Sequence, residues 1–214
     1  MKSKILLALL FAFSLKLSAQ TGVGFHLGGS YYFGLKPMVN LGGNFIVPIK
    51  ENPIEFGLSY HLPFSITSTD YANPFSSANS QITVDVKERF AIWDIRASYR
   101  YYFNDNEFED GGWYAQGGVA LGIGTDNVSV LTNYDKSQYY VSDFYSNSKH
   151  VFIQPYLHVV LGYDKVLDND QMMGGQLYVN ITNSTYNSRT GSSEDVTIPG
   201  CIGLRLTYTL PLGN

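Results

Sequence analysis

The C-terminal stretch of the chain alternates between two kinds of side chain with a period of two. One parity holds Ile198, Gly200, Ile202, Leu204, Leu206, Tyr208 and Leu210, and the other holds Pro199, Cys201, Gly203, Arg205, Thr207 and Thr209. Successive side chains of a β-strand point to opposite faces, so this segment predicts a strand with one apolar face. The pattern recurs in seven earlier segments: 22–34, 38–49, 53–66, one that ends at Phe103, one that begins at Gly112, 151–165 and 171–183.

The first 19 residues follow a different pattern and are expected to be a cleaved signal peptide. Lys2 and Lys4 precede an apolar run from Ile5 to Leu15, and Leu17-Ser18-Ala19 offers a cleavage site. This run is shorter than the roughly 20 residues that a membrane-spanning helix needs. Residues 20–214 are then expected to form a single domain.

Charge and cysteine content exclude two classes of site. Without the three lysines of the signal segment, 11 basic residues remain against 18 acidic residues, a net charge near −7. An acidic chain without basic clusters is a poor candidate for nucleic-acid binding. Cys201 is the only cysteine, so the chain forms no internal disulfide and no metal site built on several thiolates.

The connections between the predicted strands alternate between short and long. Those after the second, fourth and sixth strands are compact, at 50–53, 104–111 and 167–170, whereas those after the third, fifth and seventh are long and polar, at 67–80, 125–149 and 184–197. Ile82, Val84 and Val86 alternate well before the rest of the fourth strand. We interpret them as a hairpin that extends beyond the barrel, joined by Val128 and Val130.

Lysine positions indicate which face of the strands points inward. The lysines of the mature chain (Lys36, Lys50, Lys87, Lys136, Lys149 and Lys165) fall in connections, at strand ends or in the predicted hairpin, whereas a soluble barrel would scatter them along its outer face. The polar face is rich in glycine, which suits a narrow interior. Aromatic residues gather near the strand ends, as in the two girdles of a membrane interface. The apolar face is therefore predicted to point outward.

The alternating segments, unequal connections and aromatic girdles resemble the small outer-membrane β-barrels of the OmpA-transmembrane and OmpX type. The resemblance covers the whole mature chain. It implies an all-β fold, an eight-stranded antiparallel up-and-down transmembrane β-barrel, surrounded by the outer-membrane lipid of a Gram-negative bacterium. The compact connections and both termini would face the periplasm, and the long connections would face outward.

The inward face is predicted to carry a lumen charge cluster of Glu55, Asp94, Arg96, Arg100 and Arg205. Charges inside a narrow barrel must pair or stay hydrated, so we expect a plug of salt bridges, with a charged constriction as the alternative. His26, His61 and His158 share this parity without a metal-ligand spacing. The His-x-Ser triplet of outer-membrane lipid-A deacylases does not occur, and no catalytic, cofactor or metal site is predicted.

The long connection after the fifth strand holds the candidate contact residues for an external partner. These are Tyr134, Tyr139, Tyr140, Phe144 and Tyr145, which stand among Asp, Ser and Asn as in adaptable binding loops. The sequence thus predicts a non-enzymatic outer-membrane barrel, structural or binding an extracellular or envelope protein through its loops. Three alternatives stay open: a narrow pore for ions or small solutes, an outer-membrane lipid-modifying enzyme, and a subunit of an envelope complex.

Overall fold

The protein is described by a computed structural model that covers residues 21–33, 37–49, 52–103, 108, 110–141, 149–182 and 200–212. The predicted signal segment lies outside these residues. No helix among them is long and apolar enough to cross a membrane. The strands are β1 (Gly22–Tyr32), β2 (Pro37–Ile49), β3 (Asn52–Pro74), β4 (Ile82–Tyr102), β5 (Gly111–Val130), β6 (Tyr139–Tyr140), β7 (Lys149–Val166), β8 (Met172–Ile181) and β9 (Cys201–Pro211).

All strands except β6 form one closed antiparallel barrel. Each barrel strand pairs with its neighbours in the chain. The barrel closes where β9 pairs with β1, from Gly22 opposite Pro211 to Tyr32 opposite Cys201. The predicted eight-stranded up-and-down barrel is thereby confirmed.

Exposure alternates along the barrel strands in the predicted sense. On β9, Leu204 and Leu206 are 65% and 71% exposed, whereas Arg205 between them is 4% exposed. The exposed apolar residues of all strands form a continuous outer belt, which we call the apolar band. Aromatic pairs lie toward both of its edges, including Tyr60–Trp93 and Tyr31–Phe33 at one edge and Trp113–Tyr163 and Tyr101–Phe103 at the other.

A β-bulge divides β3 into two parts with opposite parity. His61 pairs with Ile92 and Phe64 pairs with Phe90, so that Leu62 and Pro63 together face Ala91. Proline has no N–H to donate to a ladder and is found in sheets mainly at edges and bulges. The bulge puts Phe64 in register with the buried Phe90.

Three strands continue beyond the apolar band and form a separate layered structure. This extension comprises residues 64–74, 82–90 and 125–141, and it includes β6, which pairs with β3 at Asn73 and Pro74. Its buried core lies between the inner face of the sheet and the segment on either side of β6. The core residues are Ala72, Val84, Val86, Val128 and Val141. The predicted hairpin is therefore present. The predicted loops 67–80 and 125–149 are too long, since residues 67–74 and 125–130 are strand.

The extension reverses the distribution of polar and apolar residues found in the barrel. On β4, Asp85, Lys87 and Arg89 point outward, and Val84 and Val86 are buried. Below them, Trp93 and Ile95 point outward, and Asp94 and Arg96 are buried. The two patterns meet at four consecutive apolar residues, 90–93. The apolar band thus ends on β4 at about Ala91, and on β5 at Ile123.

Candidate functional site

Arg100 is the centre of a buried ion network in the lumen. Its guanidinium donates from Nη2 to Glu55 Oε2 at 2.5 Å and from Nη1 to Asp164 Oδ2 at 2.5 Å. Tyr102 donates its hydroxyl to the same Asp164 oxygen at 2.9 Å, and the ring of Tyr114 lies 4.3 Å from Arg100 Cζ. One cation thus bridges two carboxylates, one on the adjacent strand β3 and one on β7, two strands away.

Arg96 extends this network along β4. Its Nη2 lies 3.5 Å from Glu55 Oε1, and its guanidinium also donates to Ser59 and Asn44. Ser59 in turn bonds His26 Nε2 at 3.0 Å. Glu55 therefore has arginine partners on both carboxylate oxygens, as a fully buried carboxylate requires.

Arg205 and Asp94 belong to the predicted charge cluster but have other partners. Arg205 donates to the Gln176 side-chain oxygen and lies with Cζ 5.0 Å from the Tyr178 ring. Among the described residues no ion pair joins Arg205 to a carboxylate. Asp94 pairs with His61 Nε2 at 2.7 Å and not with an arginine. The structure thus brings Glu55, Arg96 and Arg100 together and places the other two residues beside them.

Asp164, which the sequence pattern did not reveal, completes the network. This residue has the inward parity of β7 and is 4% exposed. Its position next to Lys165, near the compact connection 167–170, gave it the appearance of a solvated strand end. With Asp164 included, the described residues of the lumen below the extension include three buried acids, Glu55, Asp94 and Asp164, and three buried arginines. The formal charges balance.

A second missed feature is a relay of three side chains from three strands. Ser30 Oγ lies 2.9 Å from His61 Nδ1, and His61 Nε2 lies 2.7 Å from Asp94 Oδ2. A carboxylate can only accept, so His61 Nε2 donates to Asp94. The order resembles that of nucleophile, base and acid in hydrolases. Ser30 and His61 are 3% and 1% exposed, so the relay is closed to a substrate.

Inward glycines leave room for the large side chains of the lumen. A Cβ at Gly57 would overlap the guanidinium of Arg96, one at Gly162 would overlap the Tyr114 ring, and one at Gly203 would lie 2.5 Å from the Tyr178 ring. A cavity of about 10 Å³ remains between Asp94, Arg96, His158, Arg205 and their neighbours. That volume corresponds to about one water molecule. The side chains therefore fill this part of the lumen.

The described residues contain no cluster of three or more His, Cys, Asp or Glu side chains that could hold a metal ion. Cys201 is a free, buried thiol. His158 forms a hydrogen bond with Asn180 at 2.6 Å, and Gln154 forms one with Thr182 at 2.8 Å. These polar side chains bond one another in pairs across neighbouring strands.

The extension carries an open cleft of about 490 Å³ lined by aromatic residues. Tyr134 and Tyr139 are half-buried against the core of the extension, and Tyr140 is exposed with its ring 5.1 Å from Phe75. Lys136 and Asn133 also line the cleft. The loop is held by Asp135, which accepts from the Ser137 hydroxyl at 2.6 Å and from its amide at 2.9 Å. Phe144 and Tyr145 lie outside the described residues.

Two buried acids stand on the inner face of the extension. Glu88 on β4 and Asp126 on β5 are 5% and 0% exposed. Asp126 pairs in register with Phe90, above the apolar band, and neither of its carboxylate oxygens has a hydrogen-bond partner in the described part of the chain. Burial raises the pKa of Asp126 to about 7, and the nearby Glu88 carboxylate adds to this effect. Asp126 therefore titrates near neutral pH.

The chain is similar to several solved β-barrel structures at low sequence identity. They include Ail, the attachment invasion locus protein of Yersinia pestis, solved with the heparin analogue sucrose octasulfate (11% identity, 89% of this chain and 97% of that chain, TM-score 0.45). Neisserial surface protein A is similar over 90% of this chain and 96% of that chain (12% identity, TM-score 0.49). These are small outer-membrane β-barrels.

The N-terminal β-barrel domain of Pseudomonas aeruginosa OprF is also similar, with 14% identity over 89% of this chain and 98% of that domain and a TM-score of 0.35. No protein-family model matches the sequence, and no curated protein matches it significantly. At these identities the likeness concerns the fold alone.

Proposed function

We propose that the protein is a non-enzymatic outer-membrane β-barrel with a plugged lumen, which acts through its extension at the cell surface. The observation that carries this proposal is the apolar band. Leucine, isoleucine, valine and aromatic side chains are exposed around the outside of a barrel whose interior is polar, the reverse of a soluble protein. In this proposal residues 1–19 are a signal peptide and residues 20–214 are the mature barrel.

The ion network supports a plug over a pore. Arg100 is held by Glu55 on β3 and Asp164 on β7, Arg96 faces Glu55, and Gly57 leaves room for the Arg96 guanidinium. An eight-stranded barrel has an interior just wide enough for side chains to fill. On this proposal, the lumen charge cluster has a structural role.

The closed relay supports a non-enzymatic role. Ser30 has the hydrogen bond that a nucleophile would need, but the surrounding side chains of the lumen cover it. The apolar band, which lipid would contact, carries nothing equivalent among the described residues. A lipid-modifying activity would need a nucleophile or base on that outer surface.

The extension is the part of the protein that supports binding. Its half-buried and exposed tyrosines give a large, rigid contact area with little loss of conformational entropy, and Lys136 and Asn133 add polar contacts beside them. The proposed partner is an extracellular or envelope protein. A pull-down from native outer membranes, with wild type compared with Tyr134→Ser/Tyr140→Ser, would separate a partner held by the cleft from one held elsewhere.

Insertion and plugging can be tested together on refolded protein. Leu204→Arg puts a charge at mid-band and should lower the unfolding free energy in lipid vesicles by about 2–4 kcal/mol, whereas Thr207→Ser in the lumen should have little effect. Planar-bilayer recordings of the wild type should show no reproducible single-channel steps. Equal effects of the two substitutions would contradict the membrane assignment, and large steps altered in ion selectivity by Arg205→Glu would contradict the plug.

A further inference from the structure

Three cationic side chains point outward on β4 and β7, on either side of β5, in the extension and at its base. Lys87 and Arg89 stand two residues apart on β4, and Lys149 begins β7; all three are exposed. Asn127 of β5 is the register partner of both Arg89 and Lys149. Sheet geometry then puts the Cα atoms of Lys87 and Arg89 about 7 Å apart and those of Arg89 and Lys149 about 10 Å apart. We call these three residues the cationic patch.

The cationic patch lies immediately above the apolar band. The next outward residues below Arg89 on β4 are Ala91 and Trp93, and Trp93 stacks on Tyr60 with ring centroids 4.4 Å apart. On β7, the residue that follows Lys149 on the outer face is Val151, which is 63% exposed. One strand step of two residues spans about 7 Å, similar to the thickness of the polar headgroup layer on one side of a bilayer.

Among the described residues, the acids near the patch are not ion-paired with its cations, Lys87, Arg89 and Lys149. The outward acid on β4, Asp85, accepts from Thr69 at 3.2 Å, and the acids at 88 and 126 are turned inward and buried.

Neutral hydrogen-bonding side chains surround the cationic patch on the outer face. Thr67 on β3 is the register partner of Lys87, Ser65 that of Arg89, and Ser129 on β5 that of Lys87. Three cations with hydroxyl and amide neighbours match the chemistry of phosphate, which accepts a forked pair of bonds from arginine and attracts lysine as a point charge.

We propose that the cationic patch binds the phosphate group of a membrane lipid in the leaflet that borders the extension. This inference rests on the proposed insertion in a membrane, because only then does a headgroup layer lie at the height of the patch. The bound phosphate fixes the depth of the barrel in the bilayer and joins the extension to the lipid surface.

Trp93 is a built-in reporter for this site. In a Trp113→Phe background it is the only tryptophan, and it stands two outward positions below Arg89 on β4. The barrel is refolded in phosphatidylcholine vesicles that contain a small fraction of phosphatidic acid with brominated chains, and quenching of Trp93 is compared with that by brominated phosphatidylcholine. We expect phosphatidic acid to be enriched next to Trp93 on the order of tenfold.

The test compares Lys87→Gln/Arg89→Gln/Lys149→Gln with the matched control Lys165→Gln at the opposite end of β7. The triple variant should lose the enrichment and the control should keep it, and equal enrichment in wild type and both variants would overturn the proposal. Inorganic phosphate is added in a parallel series against chloride of equal ionic strength. If phosphate alone removes the enrichment, the patch is a site for free phosphate and the lipid proposal is wrong. Failure of the barrel to insert would be distinguished from these outcomes, because brominated phosphatidylcholine would then not quench Trp93.

Discussion

Gly57 lies beneath the guanidinium of Arg96, so close that a Cβ at position 57 would overlap Arg96 Cζ. The arginine cannot move aside freely, because its guanidinium is bonded to Ser59 and Asn44 and faces Glu55. The glycine is therefore part of the ion network, although it contributes no polar group of its own.

Gly57→Ala should destabilise the barrel by about 1–3 kcal/mol, because the added methyl group overpacks the lumen. The matched control is Gly117→Ala, at an outward position where a Cβ would have nothing within 4 Å. Urea unfolding in lipid vesicles, followed by tryptophan fluorescence, measures both. Equal stability of the two variants would contradict the close packing of Arg96 on residue 57.

Arg100→Met should cost about 3–5 kcal/mol, because it leaves Asp164 and one oxygen of Glu55 buried without their cation. Arg205→Met should cost less, about 1–3 kcal/mol, because it removes a partner of the neutral Gln176 and not of a carboxylate. Unfolding free energies of the two variants at one pH provide the test. A larger loss of unfolding free energy in Arg205→Met would support the salt bridge that the sequence predicted for Arg205.

The stability of the extension should fall as the pH rises from about 4 to about 7. The pKa of Asp126 is raised to about 7 in the folded state, whereas an unfolded aspartate ionises near 4, so the folded state binds more protons across this window. Asp126→Asn should flatten this dependence and stabilise the extension at pH 8 by about 2–4 kcal/mol. Hydrogen exchange of the β4 and β5 amides at pH 5 and pH 8 measures the change, and an unchanged pH dependence in the variant would count against it.

Val84→Ala should loosen the extension while the barrel stays intact. Val84 is 1% exposed and packs in the core with Val86 and Val128, so its truncation should cost roughly 1–3 kcal/mol. Limited proteolysis of reconstituted protein should then cut faster at Lys136, whereas the outward control Thr83→Ala should behave as wild type. If Val84→Ala also lost the heat-resistant gel band of the folded barrel, the barrel and the extension would unfold together.

The sequence predicted most of the barrel because one physical rule, the period of two, governs each strand on its own. The outward leucines of β9 and the inward Arg205 follow from parity without knowledge of any neighbour. Glu55, Arg96 and Arg100 were also found in this way, as charges on the inward parity.

Contacts between strands could not be predicted, since they depend on register. Ser30, His61 and Asp94 come from β1, β3 and β4, and only the stagger of the closed barrel places them in line. The bulge likewise depends on two strands, because Leu62 and Pro63 of β3 stand opposite the single residue Ala91 of β4. Asp164 was missed for a local reason: a lone acid beside Lys165 has the pattern of a turn.

The bulge also gives the two parts of β3 opposite inward-facing parities. Below it, the odd-numbered residues such as Glu55 and Ser59 face the lumen; above it, the even-numbered residues such as Ala72 face the core of the extension. A one-residue insertion or deletion at positions 62–63 would exchange the two faces of the upper part and leave every lumen contact of the lower part in place. The upper part of β3 can therefore be altered without a change in the lumen, and a foreign surface segment would be best joined to the barrel at this bulge.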